Sequence, residues 1–180
     1  MKHIVLTLTA LFVTVGAMAQ SSNRIYIEDF EIDPDSTLTV PVMLANEDPS
    51  RGVQFYITLP EGLKMTDYDL TDYSRRHHMA VSCNFSSKNN CYMVFIYPSL
   101  ATCFPPDTVA VMTIEFHAPH DFEGGLMPVW KCRGSTMENK SIFMEDGITR
   151  VTVPQASLIG DPVDRKPAWR EDFINQKDQP

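Results

Sequence analysis

Along Met112-Thr113-Ile114-Glu115-Phe116-His117-Ala118 every second residue is apolar and the residues between are polar or charged. A period of two sends alternate side chains to opposite faces of an extended backbone, so the segment fits a half-buried β-strand and not a helix. The same period recurs at Leu38, Val40, Val42 and Leu44, set against Thr37, Thr39 and Pro41. It recurs again at Val53, Phe55, Ile57 and Leu59, set against Gln54, Tyr56 and Thr58. In the later run Met112, Ile114, Phe116 and Ala118 are the expected core face, with Val111, Thr113, Glu115 and His117 opposite. Burying each large apolar side chain of this kind is worth roughly 1.5–3 kcal/mol.

Strand-like runs cover residues 24–32, 37–45, 52–59, 79–85, 91–97, 108–118, 126–133 and 147–153, with a further short one in 63–70. Turn residues such as Pro60-Glu61-Gly62 separate them, and no amphipathic helix is expected before residue 160. About nine strands at this spacing predict an all-β, two-sheet antiparallel β-sandwich. In the first run the apolar parity changes from Ile25 and Ile27 to Phe30 and Ile32. A strand does that only by bulging or by passing from one sheet to the other, here near Glu28-Asp29. Pro41 has no N–H for a ladder, so its strand lies at an edge or the proline sits on an unpaired side.

Met1-Lys2-His3 is a positive lead, Ile4 to Val15 is apolar apart from threonines, and Ala17-Met18-Ala19 offers small residues to a signal peptidase. Residues 1–19 therefore read as a signal peptide cut before Gln20, too short to span a bilayer comfortably. No cysteine lies near the cut for a lipid anchor, and nothing later is apolar for long enough to be a membrane span. The expected product is periplasmic, secreted or cell-surface associated, with a domain over 20–154 and a polar tail over 155–180. Trp169, Phe173 and Ile174 offer that tail at most one amphipathic turn, and an unstructured end is expected. In an oxidising compartment Cys83, Cys91, Cys103 and Cys132 are expected to form disulfides, and four cysteines permit three connectivities. Cys83 with Cys91 is the expected pair, from facing ends of two strand-like runs, which leaves Cys103 with Cys132; four buried free thiols is the alternative.

Lys and Arg total 15 against 23 Asp and Glu, a formal charge of −8, and no basic run concentrates the cations. Nucleic-acid binding by bulk positive charge is excluded. There is no Gly-x-Ser-x-Gly, no phosphate-cradling glycine loop and no His-Glu-x-x-His, so the chain reads as a non-enzyme with no cofactor. His117-Ala118-Pro119-His120 with Asp121 and Glu123 is the nearest approach to a metal motif. A strand end followed by Pro does not bring residues i and i+3 together, so no metal site is expected there. Asp67, Asp69 and Asp72, and the run Glu28, Asp29, Glu31, Asp33 and Asp35, read as solvated acidic surface, with structural calcium the alternative. His77-His78 after Arg75-Arg76 reads as a basic, polar loop. Asn84-Phe85-Ser86 and Asn139-Lys140-Ser141 fit the eukaryotic sequon, and Asp35-Ser36-Thr37 and Asp107-Thr108-Val109 resemble an Asp-Ser/Thr-apolar glycan acceptor.

Three segments, in this order and spacing, resemble the cohesin domain family. Ser36-Thr37-Leu38-Thr39-Val40-Pro41-Val42 is similar to its second strand, Gly52-Val53-Gln54-Phe55-Tyr56-Ile57-Thr58-Leu59 to its third, and Thr108 to Phe116 to the strand before its final hairpin. The resemblance runs from about Arg24 to Val153 and implies a nine-stranded jelly roll, a fold shared with some carbohydrate-binding modules. It implies a non-catalytic binding or adhesion module that recognises an extracytoplasmic protein through one sheet face, with polysaccharide binding as the alternative. The implied face comprises the strands at 52–59, 79–85 and 91–97. Its outward candidates are Gln54, Tyr56, Ser82, Asn84 and Tyr92, with an ordinary solvated face as the competing reading. Trp130 shares parity with Leu126 and Cys132 while Lys131 takes the other side, so core packing is expected for it in preference to a sugar-stacking platform.

Overall fold

The computed structural model describes residues 23–154. The signal peptide expected at 1–19, the start of the expected domain and the tail expected at 155–180 lie outside those residues. In chain order the elements are β1 (Arg24–Tyr26), β2 (Phe30–Glu31), β3 (Ser36–Asn46), β4 (Gly52–Ile57), β5 (Lys64–Leu70), α1 (Asp72–Arg76) and β6 (Met79–Ser86). They continue with β7 (Cys91–Pro98), β8 (Asp107–Ala118), β9 (Gly125–Ser135), β10 (Ser141–Phe143) and β11 (Gly147–Thr152).

Two sheets stack as a jelly-roll-type sandwich. The smaller has the order β1-β3-β8-β5, the larger β2-β11-β9-β4-β7-β6, with β10 paired to β9. The parity change in the first run is a change of sheet: β1 pairs with β3, and after Glu28-Asp29 the chain crosses to lay β2 beside β11. That β2–β11 pair is parallel, a departure from the all-antiparallel expectation. β3 is not an edge strand, but β1 pairs with it only at Met43 to Ala45, so Pro41 falls where one flank of β3 is open.

The alternating residues fill the space between the sheets. Met112, Ile114, Phe116 and Ala118 from β8 are fully buried and belong to the same core as Val53, Phe55 and Ile57 from β4. Phe30 stacks on Phe116 with ring centroids 5.6 Å apart, joining a strand of the larger sheet to one of the smaller. Val111, expected to face outward, is buried. The β3–β8 register shifts between Val42 and Met43, leaving Val111 as an extra residue in β8, and its carbonyl accepts the Ser74 hydroxyl of α1 at 2.6 Å. Gly52 is required by close approach, since a Cβ there would lie 2.7 Å from the Ile96 carbonyl oxygen of β7.

Two elements exceed the sequence expectation. β10 extends the larger sheet beside β9, and α1 occupies part of the segment read as a basic loop. Thr71 caps α1, and Arg75 and Arg76 lie in its last turn, where cations offset the helix dipole. His77 is not a free loop residue: its ring packs 4.7 Å from Tyr73 and 6.3 Å from Phe104.

Candidate binding face of the larger sheet

Residues paired across an antiparallel ladder share a face, so the register decides which side chains meet. Gln54 is opposite Phe95 and Arg133, and Tyr56 is opposite Met93 and Trp130. Ser82 is opposite Phe95 and Asn84 opposite Met93. Gln54, Tyr56, Ser82 and Asn84 therefore stand on one outer face, as expected. The Gln54 amide lies 3.4 Å from the Tyr56 hydroxyl, and the Asn84 amide donates to Ser82 Oγ at 3.1 Å.

Tyr92 does not belong to this set. It is opposite Ile57 and Phe85, on the core-side parity, and its ring packs 5.1 Å from Phe85 at the end of the β6–β7 hairpin. There it lines a separate hollow of about 310 Å³ with the Pro60-Glu61-Gly62 turn, and burial pushes its hydroxyl pKa up.

Trp130 is corrected in the opposite direction. Between Gln54 and Tyr56 the β4–β9 register shifts, and β9 fits an extra residue at Lys131, whose φ is 51°. A bulge of this kind inverts parity, so Trp130 and Arg133 face outward while Cys132 faces the core. The Trp130 ring lies 5.1 Å from Tyr56 at an interplanar angle of 35°, and its indole N–H donates to Thr58 Oγ1 at 3.1 Å. The Lys131 ammonium sits over both rings, 4.8 Å from the Trp130 centroid and 5.4 Å from that of Tyr56. The three form a cation–π cluster that the sequence reading missed, because it counted through Lys131 without the bulge.

Beside this cluster a groove of about 410 Å³ is lined by Arg51, Gln54, Phe95, Tyr97, Arg133 and Asn139. Arg51 donates to Asn139 Oδ1 at 2.8 Å, and the Arg133 guanidinium lies 5.4 Å from the Phe143 centroid.

The other singled-out residues do not converge. All four cysteines are free thiols. Cys83 is opposite Val94 and Cys91 opposite Ser86, so the two have opposite parity and are three rungs apart. Three rungs are about 10 Å, beyond the roughly 7 Å Cα separation a disulfide tolerates. Cys103 and Cys132 are likewise not bonded, and Cys132 sits beside Asp146, whose carboxylate accepts from the Cys132 backbone N–H at 2.9 Å. Burial pushes the Cys83 thiol to about 11 and, with Asp146 adding to it, the Cys132 thiol to about 12. Thiols so perturbed are poor nucleophiles.

His120 pairs with Asp35 at 2.9 Å. Asp69 is held by Arg75, which together with the Leu70 N–H lowers its carboxyl pKa. Among the described residues no group of three or more His, Cys, Asp or Glu side chains is placed to hold a metal ion.

The fold and this outer face define the class: the described domain has a cohesin-like fold. No family model and no curated protein matches the sequence. Solved structures match its fold. A type I cohesin from Clostridium thermocellum, in a complex with a dockerin, matches with a TM-score of 0.62 at 16% identity over 73% of this chain and 99% of that one. The cohesin module of a family 33 glycoside hydrolase from Clostridium perfringens matches with a TM-score of 0.61 at 8% identity, over 74% and 98%. A non-cellulosomal cohesin from the archaeon Archaeoglobus fulgidus matches with a TM-score of 0.57 at 15% identity, over 73% and 91%.

Proposed function

We propose that this chain is an exported, non-catalytic binding module: a signal peptide at 1–19, a recognition domain at 20–154 and a polar tail at 155–180. It recognises another protein through the outer face of the larger sheet, with Gln54, Tyr56 and Asn84 among the contacting residues. The observation that carries this reading is the half-buried Tyr56–Trp130 pair flanked by Gln54 and Arg133. Large, stiff aromatic rings with a polar end provide contact area at low entropic cost, which suits a recognition surface. Structures of similar fold that are described as cohesin–dockerin complexes agree with it.

The polysaccharide alternative needs an open, flat ring face for a sugar to stack on. Here the two rings are tilted by 35° and Lys131 lies over both, while Tyr92 stands elsewhere, so the aromatics form no continuous platform. Affinity capture from the native envelope fraction tests the proposal. The wild-type domain is expected to retain a protein that Tyr56→Ala loses, with unchanged circular dichroism; equal recovery by both would overturn the role of this face.

A further inference from the structure

The two outer faces of the sandwich differ in charge, although Arg24 and Lys64 share the outer face of the smaller sheet with its acids. On the smaller sheet Asp67 pairs with Glu115, and Asp69 projects one pleat further along β5. On the larger sheet the edge strand β2 carries the exposed Glu31, which lines a hollow with Arg150, but the outward positions of β4, β6, β7, β9, β10 and β11 include no Asp or Glu among the described residues. They include Arg133 and Arg150, joined by Lys131 in the bulge and by Arg51 one residue before β4. None of these four cations is in an ion pair with a carboxylate among the described residues. A chain with a formal charge of −8 thus presents a local cationic face.

That face is also the one with the most exposed apolar side chains. Ile148 and Phe143, 67% and 64% exposed, both project from it, with Leu126 at 58% opposite Arg150. Aliphatic side chains such as Ile148 and Leu126 are covered well by another polypeptide and poorly by a hydroxylated sugar chain. Guanidinium groups bind carboxylates through paired N–H donors, and the groove holds two of them, Arg51 and Arg133.

From this juxtaposition we infer that the partner is an acidic polypeptide segment, whose Asp or Glu carboxylates enter the groove between Arg51 and Arg133 while its apolar residues cover Phe143 and Ile148. The inference rests on the proposed use of this face and specifies its partner's chemistry. Attraction of this kind accelerates encounter and weakens as salt screens it.

The test uses the mature chain carrying Trp169→Phe, which leaves Trp130 as its sole tryptophan, titrated with poly-L-glutamate while Trp130 fluorescence is followed. A saturable fluorescence change is expected, with affinity falling at least tenfold between 50 and 300 mM NaCl (roughly the loss expected when several charge contacts are screened). Arg51→Gln/Arg133→Gln should weaken binding at least tenfold, whereas Arg76→Gln, on α1, should leave it unchanged. No saturable change, or equal weakening by Arg76→Gln, overturns the inference. Tighter binding of polygalacturonate than of poly-L-glutamate also overturns it, in favour of an acidic polysaccharide. If poly-L-glutamate fails while Tyr56→Ala still abolishes envelope capture, the acidic partner falls and the use of the face stands.

Discussion

Lys131 and His78 both hold a backbone conformation that L residues rarely adopt, and they do so for different reasons. At Lys131 the positive φ makes the bulge that carries Trp130 outward and sets an ammonium over two rings, so its backbone cost is coupled to the proposed binding face. Period-two reading has no way to see one extra residue, and every parity assigned beyond it inverts, which is how Trp130 came to be expected in the core. At His78, φ is 52° and the backbone N–H donates to the Arg75 carbonyl at 2.9 Å, just past the end of α1. This is a helix-terminating position where glycine adopts the left-handed conformation without penalty. His78→Gly is therefore expected to raise unfolding stability by about 1 kcal/mol, read as a higher urea midpoint with an unchanged slope. An unchanged or lower midpoint would mean that the imidazole makes a compensating contact.

At the scale of elements, what the sequence made legible were the long strands with strict alternation, because burial on one side is a strong and repeated signal. The sheet change between β1 and β2 was legible for the same reason, since Ile25 and Phe30 cannot share a parity in one unbroken strand. α1 was not legible, because five residues are too few to show a helical period. Its existence depends on its cap and on β8. Thr71 Oγ1 donates to the Ala110 carbonyl at 2.8 Å and accepts from the Ser74 N–H at 3.4 Å, while its own N–H donates to the Val111 carbonyl at 3.3 Å. The local sequence Thr71-Asp72-Tyr73-Ser74 does carry the cap residue, but its second anchor is 39 positions away and invisible without the fold. Thr71→Ala should cost about 1 kcal/mol, typical of a lost N-cap. Amide exchange should quicken at Ser74 and Arg75 with the β3–β8 ladder unaffected. Uniform acceleration across β8 would show instead that the cap secures the whole edge of the smaller sheet.

For the molecule as a whole, the same two layers that bury the core also separate its charges, because each strand offers one side chain inward for every one outward. Inner positions are apolar apart from residues such as Thr149 of β11, whose buried hydroxyl donates to the Ile27 carbonyl, so composition at the outer positions was free to diverge between the sheets. One became acidic around Asp67, Asp69 and Glu115, the other aromatic and cationic around Tyr56, Trp130 and Arg133. What keeps those faces apart is a single continuous core, in which Phe116 of the smaller sheet stacks on Phe30 of the larger. Phe116 is fully buried near the C-terminal end of β8, paired on one side with Leu38 of β3 and on the other with Met65 of β5. Truncating it removes an inter-sheet contact and leaves a void that neighbours on three strands would have to collapse to fill. Phe116→Ala is accordingly expected to cost about 3–5 kcal/mol, a large share of the roughly 5–15 kcal/mol that holds a typical domain folded. If the sandwich unfolds as one unit, then in the Trp169→Phe background Trp130 fluorescence, which reports on the far sheet, and far-ultraviolet circular dichroism should shift to the same lower urea midpoint. A fall in circular dichroism that leaves the Trp130 transition in place would show two sheets of independent stability, and the proposed recognition face would then persist without the smaller sheet behind it.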